Sequence, residues 1–385
     1  MIGFDLTPEQ QDMRDLAHRF AEKEIRPIAA EYDELEEVPW DVIRKAAQTG
    51  LTSYYIPEKY GGGGVTDTLT HCLVGEEIAW GCAGVNTILE GVGLAATPIL
   101  LAGSEDQKAI YLSRFCDPNN PALGAFALTE PSAGSDPGSL VTEARRDGKH
   151  YVINGYKTFI TNAGIADVYV VFATLDISQG TRGITAFIVE KDTPGLVLGK
   201  KEKKMGIRAS HTATLAFEDM RVPVENRLGE EGDGFKIAMQ TFEHTRTYVA
   251  VGAMGLARAA YEYALDYARQ RIQFGKPIIN HQAIGFMLAD MAIQIDAARL
   301  LCWRAATLAD QGKPCTLEAS MAKAFAAEAA MKVTTDAVQI LGGYGYSREY
   351  PVEKWMRDAK IMQIYEGTDQ IQRMIIARQL AQGHI

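Results

Sequence analysis

Hydrophobic positions along this chain change period twice. Met13, Leu16, Phe20 and Ile28 recur at helical spacing, and Thr7 to Gln10 in front of them has the form of a capping box. Val42, Ile43 and Ala46 mark a second helix from Asp41 to a C-capping Gly50. Leu73, Val74 and Ile78 mark a third, and a second capping box at Ser104 and Gln107 opens another. The Gly61 to Gly64 run between them reads as a flexible loop. After the linker Asp117 to Pro121 the pattern shortens to strands: Leu123 to Leu128, Val141 to Arg145, Tyr151 to Ile153, Lys157 to Ile160, Val168 to Thr174, Ile184 to Val189 and Thr212 to Phe217. Asp147-Gly148 and Asn154-Gly155 are hairpin signals within that series. From about Gly234 helical periodicity returns in Ala-rich runs over 235–271, 281–311, 316–341 and 351–364.

This order predicts an α+β chain in three units. An N-terminal α-helical domain (1–120) precedes a mainly antiparallel β-barrel or sandwich domain (121–233) and a C-terminal four-helix bundle (234–385). A length of 385 residues suits two or three packed units. The formal net charge of −10 gives no electrostatic footprint for nucleic acid, so an anionic ligand needs local basic residues or helix N-termini. Five cysteines without CxxC spacing argue against a disulfide framework or a zinc site. No N-terminal stretch resembles a targeting signal, and the most apolar run, Leu89 to Ala102, is interrupted by glycines and Pro98 and reads as too short to span a bilayer. The cytoplasm is the expected location, without membrane insertion.

Candidate chemistry starts at Ile361 to Gln370, where Glu366 stands between Tyr365 and Gly367 just before an amphipathic run. By itself Glu366 reads better as a solvated loop carboxylate beside a helix N-terminus, where acids are favoured, than as a catalytic group. Three further segments carry plausible ligand chemistry. Phe126 to Asp136 leaves a strand for a polar, small-residue loop in which Thr129, Gly134 and Ser135 could meet a heterocycle or phosphate, or simply form a tight connection. Phe159-Ile160-Thr161-Asn162 ends a strand with an aromatic and a hydroxyl. Arg269 to Pro277 places basic and aromatic residues at a helix C-terminus, where cations also suit the dipole. Gly91-Val92-Gly93 matches a loose dinucleotide fingerprint but lacks the βαβ setting, and the helical runs lack the repeated Glu-x-x-His pairs of a di-iron site. No metal ligand set is expected.

Together these segments resemble the acyl-CoA dehydrogenase family across the whole chain. The resemblance rests on Leu128-Thr129-Glu130-Pro131, Gly134-Ser135-Asp136, Phe159-Ile160-Thr161-Asn162, Met205-Gly206-Ile207-Arg208, Arg271 with Phe274-Gly275, Gln339 to Gly343 and Tyr365-Glu366-Gly367-Thr368, in the family's order. It implies FAD held by Phe126, Leu128, Thr129, Gly134, Ser135, Phe159, Ile160 and Thr161. Arg271, Phe274, His281, Gln282, Gln339, Gly342 and Gly343 would reach the FAD of an adjacent subunit, and Thr368 and Gln370 would add contacts. The implied assembly is a homotetramer built as a dimer of dimers.

The same resemblance makes Glu366 the base that takes the α-proton of an acyl-CoA while the β-hydride passes to FAD, giving a trans-2-enoyl-CoA. Electrons would then go to an electron-transferring flavoprotein. Ser135, Glu243, Thr245, Arg246, Tyr365 and Gly367 match substrate-binding positions; the family more often has Asp where Glu243 stands. Some relatives carry the base at the position of Thr245, which a threonine cannot serve. Burial beside Tyr365 and the flavin should raise the proton affinity of Glu366. Val85 to Gly91, with Thr87 and Glu90 at the pocket end, resembles the medium-chain subgroup, although Glu90 also reads as a buried acid bonded to backbone or water. A straight chain of medium length is the expected acyl group, with short, branched or alicyclic groups as alternatives. An acyl-CoA oxidase, an enoyl-CoA reductase and an inactive FAD-binding scaffold are the competing readings on the same fold.

Overall fold

Helix α1 (Pro8–Phe20) begins as its capping box predicts, with the Gln10 N–H on Thr7 Oγ1 and the Thr7 N–H on the Gln10 side chain. The computed structural model describes residues 5–383. The N-terminal third continues through α2 (Ala29–Leu35), α3 (Trp40–Gln48), α4 (Thr68–Gly81), α5 (Ala83–Ala102) and α6 (Glu105–Phe115). The Leu89 to Ala102 run proves to be part of the 20-residue helix α5, which continues through Pro98 and is long and apolar enough to cross a membrane. Its apolar length serves the interior instead: 56% of its most apolar window is buried within the fold, where it packs against the middle and C-terminal units.

The Gly61 to Gly64 run also departs from expectation, because it is packed. A Cβ on Gly62 would lie 2.1 Å from the Ile56 carbonyl oxygen, and one on Gly63 would lie 2.9 Å from Tyr54 Cα. Backbone bonds from Gly63 to Ser53, Gly64 to Ile56 and Val65 to Tyr54 bind the run to the turn after α3. These glycines permit a close backbone approach.

The middle third holds β1 (Gly124–Ala127), β2 (Glu143–Asp147), β3 (His150–Thr161), β4 (Val168–Thr174), β5 (Ile184–Glu190), β6 (Leu196–Lys201), β7 (Thr212–Pro223) and β8 (Arg227–Leu228). The sheet runs β6-β7-β3-β2-β4-β5-β8, with β1 also on β4. Pairing is mostly antiparallel; β4 meets β1 and β2 in parallel. The turn at Gly148 forms as expected, with Asp147 opposite His150. Asn154-Gly155 does not turn the chain: β3 runs straight through it with a register shift against β7. Asn154 spends its side chain across the sheet instead, donating to Asp219 Oδ1 at 3.0 Å and accepting the Asp219 N–H at 2.8 Å. The short strand β6 was not foreseen; five of its six residues are exposed, which erases the alternation that marks a strand.

The last third comprises α7 (Gly234–Gln270), a small hairpin of β9 (Ile272–Gln273) and β10 (Lys276–Pro277), then α8 (Gln282–Asp310), α9 (Thr316–Leu341), α10 (Val352–Met362) and α11 (Asp369–Ala381). Rows of buried alanines on α7 and α9, with buried glycines on α7, let their backbones approach closely. Charged pairs tie the thirds together. Asp33 of α2 accepts from Arg208 of the β6–β7 connection at 2.9 Å and from Arg357 of α10 at 2.7 Å. Arg258 of α7 binds Glu76 at 2.6 Å and Glu77, both on α4. Residues of α4, α5, α7 and the loop before α11 meet around one cavity.

Candidate active site

Glu366 sits in that loop with φ near +50°, a left-handed backbone that costs a non-glycine residue energy and persists only where its surroundings hold it. The surroundings do so. The buried Gln372 amide donates to the Glu366 carbonyl at 3.1 Å and the Gly367 carbonyl at 3.2 Å. Thr368 caps α11 through the Ile371 N–H, and Asp369, at the first turn, pairs with buried Lys323 of α9 at 3.0 Å. The strained turn thereby aims the Glu366 carboxylate inward, where Thr245 Oγ1 of α7 donates to Oε2 at 2.6 Å.

Burial dominates the pKa of this carboxyl and raises it to about 7, against the opposing pull of the Thr245 hydroxyl and the positive charges of Arg246 and Lys323. The residue keeps part of its surface open to solvent even so. Glu90 on α5 faces the same cavity. Burial, with a further push from the Glu366 charge, raises it to about 8, although Asn86 donates to it at 2.8 Å. The bond that Glu90 finds is therefore to a side-chain amide one turn away, not to backbone.

The cavity between these acids measures about 40 Å³. Its walls combine Leu51, Val74, Ile78, Leu89 and Leu94 with Thr52, Tyr54, Tyr55, His71 and Tyr248. The His71 ring stacks on Tyr248 at 3.6 Å, and burial drops its basicity to about 3, so it is neutral. This aromatic wall was missed in the sequence because each residue reads singly as ordinary core; the glycine run beside Tyr54-Tyr55 was the available signal. Thr87 is not part of the lining. Its hydroxyl turns back onto the Ala83 carbonyl at 2.8 Å on its own helix. Tyr365 lies against Met362, its hydroxyl 3.0 Å from the sulfur.

The remaining candidate residues fall in distinct places. Arg246 is buried with its charge near Glu366, and its Nε has no partner among the described residues. Glu243 is exposed and accepts from Thr316 Oγ1 at 2.8 Å. Phe126 lies on β1 with Leu128 and Thr129 just after it, and Phe159, Ile160 and Thr161 close β3, the two joined by the Thr158 N–H on the Thr129 carbonyl. Beneath them the buried pair Lys157–Glu130 closes at 2.7 Å; Lys157 also donates to the Leu128 carbonyl, and Glu130 accepts the Val141 and Thr142 N–H groups. The pair fixes where the 129–136 loop leaves the sheet. Ser135 and Gly134 are exposed on that loop, and a Cβ at Gly134 would meet open space.

Arg271, Phe274, His281, Gly342 and Gly343 line a second cavity of about 710 Å³, while Gln282 and Gln339 lie outside its lining. Thr368 and Gln370 belong to the Glu366 loop and the start of α11. Phe159 is 66% exposed and Phe274 94% exposed, both with positive φ. Large aromatics held out in strained backbone beside polar loops suit a flat ring system, and Arg271 beside Gly342 and Gly343, where added Cβ atoms would meet open space, suits a diphosphate. The residues present fit a flavin dinucleotide. The rejected Gly91 and Gly93 are helical packing positions: added Cβ atoms would lie 2.6 Å from the Asn162 amide and 3.7 Å from the Tyr55 hydroxyl.

Three family models cover most of the chain: acyl-CoA dehydrogenase N-terminal domain over residues 7–118, middle domain over 125–220 and C-terminal domain over 232–381. A short-chain-specific acyl-CoA dehydrogenase of Megasphaera elsdenii is 50% identical over 378 residues, spanning 97% of this chain and 98% of that protein. The solved butyryl-CoA dehydrogenase of the same organism superposes with a TM-score of 0.96 at 49% identity, covering 99% of this chain and 100% of that one. A chain in the electron transferring flavoprotein structure of Acidaminococcus fermentans gives 0.96 at 48% identity, covering 98% and 99%.

Proposed function

The chain belongs to the acyl-CoA dehydrogenase family, and from that premise we propose that it dehydrogenates a short-chain acyl-CoA of about four carbons, with Glu366 as the base. The observation that carries the assignment is the Glu366 carboxylate, raised to about 7, held by Thr245 and facing the cavity. The family's enzymes use FAD, and this chain would hold it through Phe126, Leu128, Thr129, Ser135, Phe159, Ile160 and Thr161. Arg271, Phe274, His281 and the Gly342-Gly343 turn would reach toward a neighbouring subunit's cofactor within a homotetramer. When bound, the flavin supplies the acceptor for the hydride from the β-carbon.

The chain's own work is proton transfer and charge placement. A thioester α-proton is weakly acidic, so a base is most effective when its own acidity is shifted toward working pH. The carboxylate at 366 meets that need, with Thr245 fixing one oxygen so that the other can face substrate. Among the described residues no group in the chain takes the Glu366 N–H, which leaves it as a donor for the enolate oxygen that develops as the proton departs. Arg246 and Lys323 place positive charge behind the base without bonding to it.

Cavity size favours a short acyl group over the medium-chain expectation. About 40 Å³ holds roughly three water-sized volumes, at 10–15 Å³ each. The Megasphaera enzymes named above carry short-chain and butyryl names, which supports the same reading. The likeness to a chain in an electron transferring flavoprotein structure supports such a flavoprotein as electron acceptor. The test is anaerobic mixing with acyl-CoAs of increasing length while flavin absorbance is followed, then addition of oxygen. Bleaching should be fastest near four carbons and should persist in air. An optimum at eight carbons or beyond refutes the chain length, and rapid reoxidation by oxygen refutes dehydrogenase in favour of oxidase.

A further inference from the structure

Helices α4 and α7 cross at close range beside the cavity. A Cβ on Gly255 of α7 would lie 2.1 Å from the Glu76 carbonyl oxygen of α4, and one on Gly75 of α4 would lie 3.3 Å from Val251 of α7. One turn before this crossing, each helix carries an aromatic ring: His71 on α4 and Tyr248 on α7. The two rings stack at 3.6 Å with their planes 16° apart, and both line the cavity. Tyr248 follows Thr245 by three residues, so its ring shares a helix face with the hydroxyl that holds Glu366. One turn further along that face Gly252 makes room for Asn86 and Glu90, which would lie 3.1 and 3.6 Å from an added Cβ. From the turn after α3, Tyr54 and Tyr55 each stand 5.2 Å from the His71 ring.

Rings at this place fill volume that an acyl chain leaving the Glu366 end of the cavity would otherwise enter. With the two backbones already in contact at Gly255, and tyrosines against His71, the packed surroundings leave the stack little room to swing aside. Burial keeps the His71 imidazole neutral, so the stack presents no charge to a hydrocarbon. We propose that the stacked His71–Tyr248 pair is the stop that limits the acyl chain, with Tyr248 as the specificity-determining residue. The proposal rests on Glu366 acting as base on a short acyl-CoA, and it deepens that reading by naming the side chains that set the length. The stack takes no part in the chemistry. It acts by occupancy: without the Tyr248 ring, space opens between α4 and α7 one turn beyond Thr245, and the added methylenes of a longer chain enter it.

Flavin bleaching and kcat/KM of the holoenzyme with butyryl-CoA, hexanoyl-CoA and octanoyl-CoA test the proposal. Tyr248→Val should raise the hexanoyl-to-butyryl ratio of kcat/KM by about tenfold or more, the scale of a methylene gained or lost in an apolar pocket. His71→Ala should move the ratio the same way from the facing helix. Tyr248→Phe keeps the ring and should keep the parent's order of preference. Flavin content and circular dichroism confirm folding, and His71→Ala decides if Tyr248→Val does not fold. A merely structural defect lowers activity with all three thioesters and leaves their ratio in place. Unchanged ratios in the folded, flavin-loaded variants overturn the proposal alone, as does a Tyr248→Phe enzyme that takes longer chains as readily as Tyr248→Val. A parent enzyme that prefers octanoyl-CoA overturns the proposal together with the short-chain reading. If no thioester bleaches the parent's flavin, the assignment of Glu366 falls and takes the proposal with it.

Discussion

Removing one hydroxyl should move the pH dependence of the whole reaction. Thr245→Val deletes the 2.6 Å bond to Glu366 Oε2 while keeping the volume of the side chain. A hydrogen bond to a charged group contributes about 1.5–3 kcal/mol, and 1.36 kcal/mol corresponds to one pKa unit. The carboxyl should therefore rise by about one to two units above its value of about 7. The sign follows from the role. The base works as carboxylate, so activity falls as pH drops below its pKa, and a raised pKa moves that fall to higher pH. Near pH 7 the ionised fraction would drop from about one half to between about a tenth and a hundredth. Flavin reduction by butyryl-CoA, followed anaerobically by stopped flow, should slow by about five- to fiftyfold there. Near pH 9 the variant should approach the parent rate. A loss of the same size at every pH would refute the reasoning, since it would mean that Thr245 acts on substrate placement and not on proton affinity.

Three further outcomes follow from named contacts. Glu366→Gln should retain FAD and bind acyl-CoA yet reduce the flavin by about 10²- to 10⁴-fold more slowly, the usual contribution of a general base; near-normal reduction would move the base elsewhere. Glu90, at about 8, ionises after Glu366 at about 7, so the rising limb belongs to Glu366 with Glu90 still neutral. Glu90→Gln should leave that limb in place and abolish a decline above about pH 8, which pH profiles of single-turnover reduction would show. Lys157→Met strands the Glu130 carboxylate in the interior and should cost about 3–5 kcal/mol in urea unfolding, part of it restored by adding Glu130→Gln.

How far the sequence reached depended on how local each signal was. Both capping boxes close within four residues, so α1 and α6 could be placed from their own letters. Asn154-Gly155 misled because its side-chain partner, Asp219, lies 65 residues away: the bond that makes the pair a bulge is invisible to local turn chemistry. The same distance problem governs the catalytic geometry. Thr245 and Glu366 stand 121 residues apart, and only the meeting of α7 with the loop before α11 shows that the threonine serves the carboxylate it cannot replace. Glu366 itself was reached through resemblance, since one acid between an aromatic and a glycine has no intrinsic signature.

Chain length was the least legible property, for a physical reason. On the proposed reading the pocket's depth follows how near the turn after α3 comes to α5, and the glycines that permit that approach carry no chemistry of their own. Gly62 and Gly63 let one strand of backbone lie on another, which carries Thr52, Tyr54 and Tyr55 into the cavity. A side chain at 62 would meet the Ile56 carbonyl at 2.1 Å. Gly62→Ala should thus cost about 1–3 kcal/mol or more by overpacking, measured by thermal or urea unfolding. If the turn yields instead, the aromatic wall retreats and the pocket deepens, so a folded Gly62→Ala enzyme should shift its preference toward longer acyl chains. Such an enzyme with unchanged stability and unchanged chain-length preference would show that the glycine contact does not set the depth of the pocket.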